Sequence, residues 1–473
     1  TISPGTCQII SDTSPVFYIT TEAMRKSIHL CLVMMLIAAG SLYAQKHNVV
    51  FRYTGNGADS VVYRIPAIAT LNDGRLLAIA DYRHCGSDIG YGRIDLHQSI
   101  SADGGKTWSQ PAPLTDISGM PVSQGTGKGT TESSMLHPDC GYGDAAIAAD
   151  RDSERVILLA VCGRTPFFRA HRNNPNQIAR WRSNDGGRTW TGRDTITSEI
   201  YGLFDGRCGD SLKAPGGCVD ALFFGSGRIM QSRHVKTEGT YRIYAALSGR
   251  HIAHESDTDS IGTYIANWVL YSDDFGEKWH VLGRTDIPPV SIGGDEPKVE
   301  ELPDGSVLLS ARSSNSYGRR FNIFRYSNAA KAKGEWIGLP VMCDFGGINP
   351  NPCNGEILIL PVIDNHDPGN TDAWIALQSI TLSNKRENVG IKWKPLLCHS
   401  DYADAKAMAQ SWGEIQSQTL KITTKPSAYS TMAQTTDGHI AFLFEESTYG
   451  KDYSIVFKDL TLEEITGGRF SAR

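Results

Sequence analysis

An eight-residue pattern recurs three times along the chain and constrains the fold more than any other feature. Ser101-Ala102-Asp103-Gly104-Gly105-Lys106-Thr107-Trp108 returns as Ser183-Asn184-Asp185-Gly186-Gly187-Arg188-Thr189-Trp190. It returns again as Ser272-Asp273-Asp274-Phe275-Gly276-Glu277-Lys278-Trp279, and a degenerate fourth copy keeps Asn388, Gly390 and Trp393 at the same offsets. The shared form, S-x-D-x-G-x-T-W, has the chemistry of a turn. The Asp carboxylate can accept from nearby backbone amides. The Gly supplies a positive φ, and the Trp opens the next strand and buries a large apolar surface. Each copy predicts a hairpin corner, so Asp103, Asp185 and Asp274 are read as structural carboxylates.

Short apolar or alternating runs flank these corners and end in turn signals. Ala67 to Thr70 precedes Asn72-Asp73-Gly74, followed by Leu76 to Ala80. Val156 to Val161 is another run, and Val307 to Ser310 and Ile440 to Phe444 follow Asp-Gly pairs. They read as hairpin strands, in keeping with 48 glycines and no long helical periodicity. The full copies start 82 and 89 residues apart. A four-stranded propeller blade takes about 40–50 residues, so each interval suits two blades. The expectation is an all-β, six-bladed β-propeller. No Pro- or Ser-rich linker divides residues 45–473, which are read as one domain.

The chain has 473 residues and a net charge of −5, a balance that argues against a general nucleic-acid binder. It does not begin with Met. Met24 is followed by Arg25 and Lys26, an apolar run from Leu30 to Ala39, and small residues up to Ala44-Gln45. Residues 24–44 therefore read as a signal peptide and 1–23 as an upstream translation artefact. The apolar run is too short to span a bilayer comfortably. A periplasmic or extracellular location is expected, with no stable membrane insertion. Of the ten cysteines, eight follow the leader; in an exported protein some could pair, and Cys208–Cys218 and Cys343–Cys353 are the candidates by spacing. His251-Ile252-Ala253-His254 lacks a third ligand, and no metal or other cofactor is expected. Gly125-Thr126-Gly127-Lys128-Gly129-Thr130 lacks the phosphate-loop spacing and reads as a loop.

Tyr63-Arg64-Ile65-Pro66 ahead of three ordered boxes resembles the signature of bacterial and animal exo-sialidases (neuraminidases), whose repeated turn is the Asp box, or BNR repeat. The resemblance covers nearly all of residues 49–473. Gly294-Asp295-Glu296-Pro297-Lys298-Val299-Glu300-Glu301-Leu302 and Ser427-Ala428-Tyr429-Ser430-Thr431-Met432 point in particular to sialidases of Bacteroides-type bacteria.

The resemblance implies a site of known composition. Three guanidiniums would hold the sialic acid carboxylate: Arg64 of the Y-R-I-P segment, Arg312 of Ser310-Ala311-Arg312-Ser313, and Arg386 before Glu387-Asn388-Val389-Gly390-Ile391. Arginine suits this task because its planar fork matches a carboxylate and stays charged. Arg319 and Arg320 are neighbouring rivals to Arg312. Arg83 matches a further substrate-binding arginine. Tyr429 would be the nucleophile and Glu296 its base, with Glu300 and Glu301 left as surface carboxylates. A carboxylate nucleophile approaching a carbon that bears a carboxylate meets repulsion of about 4 kcal/mol at 4 Å and intermediate dielectric; a neutral phenol avoids it. Asp88 would be the acid/base, 24 residues after Arg64. Its rival Asp95 lies in the alternating run Ile94 to Ile100 and reads as a strand residue. His84 reads as a solvated loop histidine.

The function implied is that of a glycoside hydrolase, a retaining exo-α-sialidase acting on sialylated glycans. It would work as a monomer without nucleic-acid partners. The alternatives are a trans-sialidase and a non-catalytic glycan-binding propeller. The pattern begins almost at the leader, so no added carbohydrate-binding module is expected.

Overall fold

The structure is a computed structural model. It describes residues 48–55, 61–85, 87–115, 141–207, 218–254, 261–286, 288–314, 317–347, 353–412, 418–450 and 452–473. The leader, residues 1–23 and the 125–130 glycine loop lie outside these.

The described strands form six sheets, the blades of a six-bladed β-propeller. Blade 1 runs Val62–Thr70, Leu76–Arg83, Ile94–Ser101 and Ala112–Pro113; blade 2 runs Tyr142–Ala149, Val156–Cys162, Gln177–Ser183 and Thr191–Thr195. Blade 3 is built on the long hairpin Thr240–His254 and Ile261–Ser272. Blade 4 starts with Gly294–Glu301, Val307–Ser313 and Arg319–Asn328; blade 5 contains Ile357–Asp364, Trp374–Thr381 and Val389–Leu396. Blade 6 consists of Ser427–Gln434, Ile440–Glu446 and Ser454–Leu460, and Asn48–Phe51 from the start of the described chain adds its outer strand. Neighbouring strands are antiparallel within each hairpin, and all the expected runs lie in strands. The interior is correspondingly apolar, with Ile79, Leu158, Leu247, Leu309, Ile375 and Phe442 among its fully buried residues.

The three Asp boxes sit at equivalent corners, after the third strands of blades 1 and 2 and after Ile261–Ser272 of blade 3. In each, the Ser hydroxyl donates to the Asp carboxylate (2.9, 2.7 and 2.7 Å). The same hydroxyl accepts from the amide of Gly105, Gly187 or Gly276 (2.8, 2.8 and 2.7 Å). The Asp then accepts from the amide four residues on, at 2.8–2.9 Å. Bonds from the Thr107 hydroxyl and amide pull the Asp103 carboxyl down to about 2. These carboxylates are occupied in holding turns.

Three expectations are corrected. Boxes start in consecutive blades, so each interval holds one blade. The surplus length separates described strands, as between Pro113 and Tyr142 and between Thr195 and Cys218, and also lies in the blade 3 hairpin. The fourth copy is not a corner. Asn388 takes a left-handed φ of 56° immediately before the strand Val389–Leu396, where Gly390 and Trp393 are ladder residues. Lastly, Cys343 and Cys353 are free and buried. Cys343 packs with Phe321, Phe345 and Trp412, whereas Cys353 packs with Ile65, Ala428 and Tyr429; the two thiols belong to separate cores. Cys218 is disulfide-bonded, and its expected partner Cys208 lies outside the described residues.

Each box also fastens its blade to the one before. A Cβ on Gly105 would meet Phe457 of blade 6 at 2.0 Å, and one on Gly276 would meet Ile157 of blade 2 at 2.0 Å. Both glycines have positive φ, 86° and 89°. Gly104 also has positive φ (70°) but faces open space. Gly104→Ala should therefore lose about 1–2 kcal/mol, the left-handed penalty alone. Gly276→Ala should lose about 2–5 kcal/mol, because overpacking against Ile157 is added. Denaturant unfolding of the two variants checks the order; equal losses would remove the packing role of the box.

Candidate active site

The innermost strand of every blade starts at the same face of the propeller, and the site residues gather there. Five of these strands carry a register shift in their opening residues: between Arg64 and Ala67, Gly143 and Ala146, Val219 and Ala221, Gly294 and Pro297, and Ser427 and Ser430. Such a bulge frees a residue from the ladder and re-aims its side chain. Pro66 and Pro297 fall at these bulges, where a missing N–H breaks no ladder bond. Arg64, Asp144, Glu296 and Tyr429 all lie on or within the bulged segments. Arg312 is next to last in the second strand of blade 4, while Asp88 and Arg386 come from loops at the same face.

These side chains line one cavity of about 250 Å³, together with Ile89, Val161, Phe167 and Phe223 on an apolar side. Tyr429 is its floor. The phenol donates to Glu296 Oε1 at 2.5 Å and accepts from Arg312 Nη1 at 3.2 Å. Arg312 Nη1 also bonds Glu296 Oε2 at 2.8 Å. The guanidiniums of Arg64 and Arg386 each lie over the Tyr429 ring, 5.5 Å from its centre. Burial and the Glu296 charge push the Tyr429 phenol well above its ordinary range, so it is neutral in the free cavity. Arg319, by contrast, is buried and bonded to Ser310, which removes it as a rival to Arg312.

Donors remain unspent around this floor. Arg64 uses its Nε on Glu445 (2.7 Å), and among the described residues its two Nη groups bond nothing. Arg386 makes no side-chain hydrogen bond or ion pair among them, and Arg312 Nε is buried without a partner. The Arg386 loop is itself anchored, since its carbonyl accepts from the Ser427 amide at 3.0 Å. Three guanidiniums thus face a common space.

Asp88 stands at the rim, its side chain 74% exposed and paired with Arg83. The Arg83 charge holds its carboxyl below the usual range. Arg83, expected to touch substrate, is buried behind the wall. It bonds Asp81 at 2.8 Å and Asp88, and lies 3.6 Å from Asp144. Asp95 is a buried strand residue, as expected. His84 is not solvated: it bonds Asp95 at 3.1 Å beside the Tyr82 ring. Glu300 and Glu301 are fully buried rather than superficial, because Arg228, Arg233 and Ser232 bind them. Among the described residues no group of three or more His, Cys, Asp or Glu is placed to hold a metal ion, and His251 is stacked in the core on Tyr264.

Two residues escaped the sequence reading. Asp144 lines the cavity with a left-handed φ of 55°. Burial, then the neighbouring Asp81 charge, raises its carboxyl well above the ordinary range. The signal was the Gly143-Asp144 pair opening an apolar strand: a Cβ on Gly143 would meet the Asp81 carboxylate at 2.7 Å. Glu445, fully buried in an apolar strand, accepts from Arg64 Nε, the Ile65 amide (2.8 Å) and the Tyr429 amide (3.2 Å).

No family model matches the chain. In sequence it is similar to bacterial sialidases. It is 31% identical over 265 residues to a sialidase of Micromonospora viridifaciens, across 54% of this chain and 34% of that protein. It is 22% identical over 439 residues to a sialidase of Bacteroides fragilis, across 86% of this chain and 72% of that protein. The matched region therefore spans about a third of the first protein's length. Among solved structures, the Hadza microbial sialidase Hz136 superposes with a TM-score of 0.60 at 21% identity, covering 88% of this chain and 68% of the other. A leech intramolecular trans-sialidase superposes at 0.64 and 16% identity, covering 90% and 71%. At these identities the superpositions establish the fold, the propeller these proteins share.

Two stability predictions follow from the buried charges. Glu445→Gln removes the only carboxylate paired with Arg64 among the described residues and should lower the unfolding free energy by about 3–5 kcal/mol. A loss under 1 kcal/mol in denaturant titration would deny Glu445 its bridging role. Asp295, beside Glu296, is pushed by burial to about 6, against about 3.9 in an unfolded chain. The folded state therefore holds this proton more tightly. The contribution is complete below pH about 4 and is lost as pH rises to about 6. Asp295→Asn should gain of order 2 kcal/mol over the wild type at pH 7 and little at pH 4.

Proposed function

We propose that the chain is a retaining exo-α-sialidase, an exported glycoside hydrolase that releases terminal sialic acid from glycoproteins, glycolipids or oligosaccharides. The observation that carries this reading is the 2.5 Å Tyr429–Glu296 pair ringed by Arg64, Arg312 and Arg386 with donors to spare. The sequence similarity to sialidases supports it.

In this reading the substrate carboxylate binds the three guanidiniums. That draws the anomeric carbon over Tyr429 and keeps it there through both half-reactions. Tyr429 Oη attacks that carbon while its proton passes to Glu296. The bond to the leaving oxygen breaks as Asp88 supplies a proton. Water then attacks the tyrosyl-linked sugar, giving its proton to Asp88, and Tyr429 leaves with the proton returned by Glu296. Charge placement favours the phenol, because it stays neutral until its proton moves. Arg83 acts on Asp88 rather than on substrate.

Two carboxyls compete for the acid's role. Asp88 is at the rim where a leaving group departs, but Arg83 keeps it ionised in the free cavity. Asp144 has its carboxyl raised by burial but lies deeper, its side chain 29% exposed. Bringing a substrate carboxylate close to Asp88 raises its proton affinity, which suits the rim residue to the task. Ionised Asp88 also suits the second half-reaction, where a base is required.

Purified residues 45–473 should release the fluorophore from a fluorogenic aryl sialoside between pH 4 and 8. Tyr429→Phe should lose at least about a thousandfold in kcat with an unchanged unfolding midpoint; near wild-type turnover would remove Tyr429 as nucleophile. Asp88→Ala should lose about 10²–10⁴-fold on sialyllactose and much less on an aryl sialoside, whose leaving group needs no proton. If Asp144→Ala shows that contrast instead, Asp144 is the acid. NMR of the products with and without added lactose separates hydrolysis from transfer.

A further inference from the structure

The inner strands that open on the candidate site end about six residues later, roughly 20 Å away at 3.3 Å per residue, around a second cavity. This cavity, of about 390 Å³, occupies the opposite mouth of the central channel. Its floor is apolar, with Ile147, Leu358 and Leu360, and its rim carries Arg151, Arg228 and Arg233.

Each of the three guanidiniums keeps donors to spare. Arg228 Nη2 bonds Glu300 at 2.5 Å and the Ile357 carbonyl at 2.9 Å. Arg233 shares the same Glu300 through Nη1 at 3.2 Å and bonds the Ile359 carbonyl through Nη2 at 2.6 Å. Among the described residues, Arg151 donates only to neutral oxygens: Gln231 Oε1 at 3.0 Å, the Gln231 carbonyl at 2.9 Å and the Ser232 carbonyl at 2.7 Å. Among the described residues, Nη1 of Arg151, Nη1 of Arg228 and Nε of Arg233 donate to nothing. Nε of Arg228 is buried without a partner. The Arg151 guanidinium lies over the Tyr241 ring, 4.4 Å from its centre, which fixes its direction. Desolvation, then repulsion from Arg233, makes Arg151 less basic than an ordinary arginine, with the Glu301 and Asp152 charges opposing the shift. The Glu301 carboxylate is held by the Ser232 hydroxyl and the Arg233 amide.

We propose that this mouth is a second binding site, for a small organic carboxylate. The carboxylate would lie between Arg151, Arg228 and Arg233, where guanidinium forks offer paired donors. The apolar part would lie on Ile147, Leu358 and Leu360. Nothing in this proposal depends on the sialidase reading, because the two cavities share no residue.

Soaking crystals of residues 45–473 with 4-bromobenzoate locates the ligand by the anomalous signal of bromine. The expected result is a peak in the mouth cavity, its carboxylate on the three arginines, and no such peak with 4-bromobenzyl alcohol. Calorimetric titration of 4-bromobenzoate should show a component that weakens about tenfold in Arg151→Ala, the loss of one charge-assisted bond, and disappears in Arg151→Glu. Arg151 is exposed, and the unfolding midpoint confirms that each variant is folded. Bromine only in the cavity beside Tyr429, equal occupancy by the alcohol, or unchanged titration in both variants would overturn the proposal.

Discussion

The bulge at the start of the innermost strands is the constraint on which the site depends. A regular ladder turns alternate side chains to opposite faces of a blade, and the blade faces are packed against their neighbours. Nothing in such a ladder points along the channel axis. By dropping residues out of register at Arg64–Ala67, Gly143–Ala146, Gly294–Pro297 and Ser427–Ser430, the chain turns Arg64, Asp144, Glu296 and Tyr429 toward a shared centre. Two of these segments hold left-handed residues, Ile65 at φ 54° and Asp144 at φ 55°. A β-branched residue in that region is strained. Ile65 is held there by its amide bond to Glu445 (2.8 Å) and by packing on Tyr429.

Strain of that kind persists only if the surroundings are rigid, and the rigidity comes from the corners at the blades' rims. Each full box places its glycine carbonyl where the preceding blade can donate to it. Asn48 bonds the Gly105 carbonyl at 2.7 Å, Gln98 the Gly187 carbonyl at 3.1 Å, and Arg180 the Gly276 carbonyl at 2.6 Å. The three bonds are equivalent in position and fix blade 1 on blade 6, blade 2 on blade 1, and blade 3 on blade 2. Asn48 also belongs to the strand that closes the ring against Ser454–Leu460, so the first corner is tied to that closure. The Asp boxes therefore act on the site at a distance: they supply none of its carboxylates but hold the blades whose bulges do.

How much of this the sequence discloses follows from the range of each interaction. The corners are legible because their bonds span at most four residues, Ser101 to Gly105 and Asp103 to Thr107. The hairpin strands are legible because their turn residues adjoin them. Arg64, Glu296, Arg312, Arg386 and Tyr429 could be listed through resemblance, yet nothing local shows that they meet. Tyr429 and Glu296 are 133 residues apart along the chain. Burial is harder still to foresee. Glu300 and Glu301 look like a solvated acidic run, but their partners Arg228, Arg233 and Ser232 lie about 70 residues earlier. Glu445 is illegible for the same reason, since Arg64 stands 381 positions away. The box intervals mislead in the opposite direction about blades per interval, though not about the six blades in all: connection length adds to an interval as a blade would, and strand pairing separates the two.

The electrostatics of the floor explain why its parts occur together. Three guanidiniums packed around one phenol would repel one another, and low dielectric magnifies that repulsion. Glu445 and Glu296 offset it from beneath, one bound to Arg64 and the other to Arg312. Each spends only part of its arginine, and Arg386 is left with its full set of donors. Donors are therefore left for one more anion above Tyr429, with Asp144 and Asp88 lining the other side. A carboxylate in place of Tyr429 would satisfy the arginines internally and remove the reason for a ligand anion to enter. The neutral phenol does not compete for them. Under the proposed reading, the choice of nucleophile and the strength of carboxylate binding are then one decision, made by keeping Tyr429 uncharged in a ring of arginines.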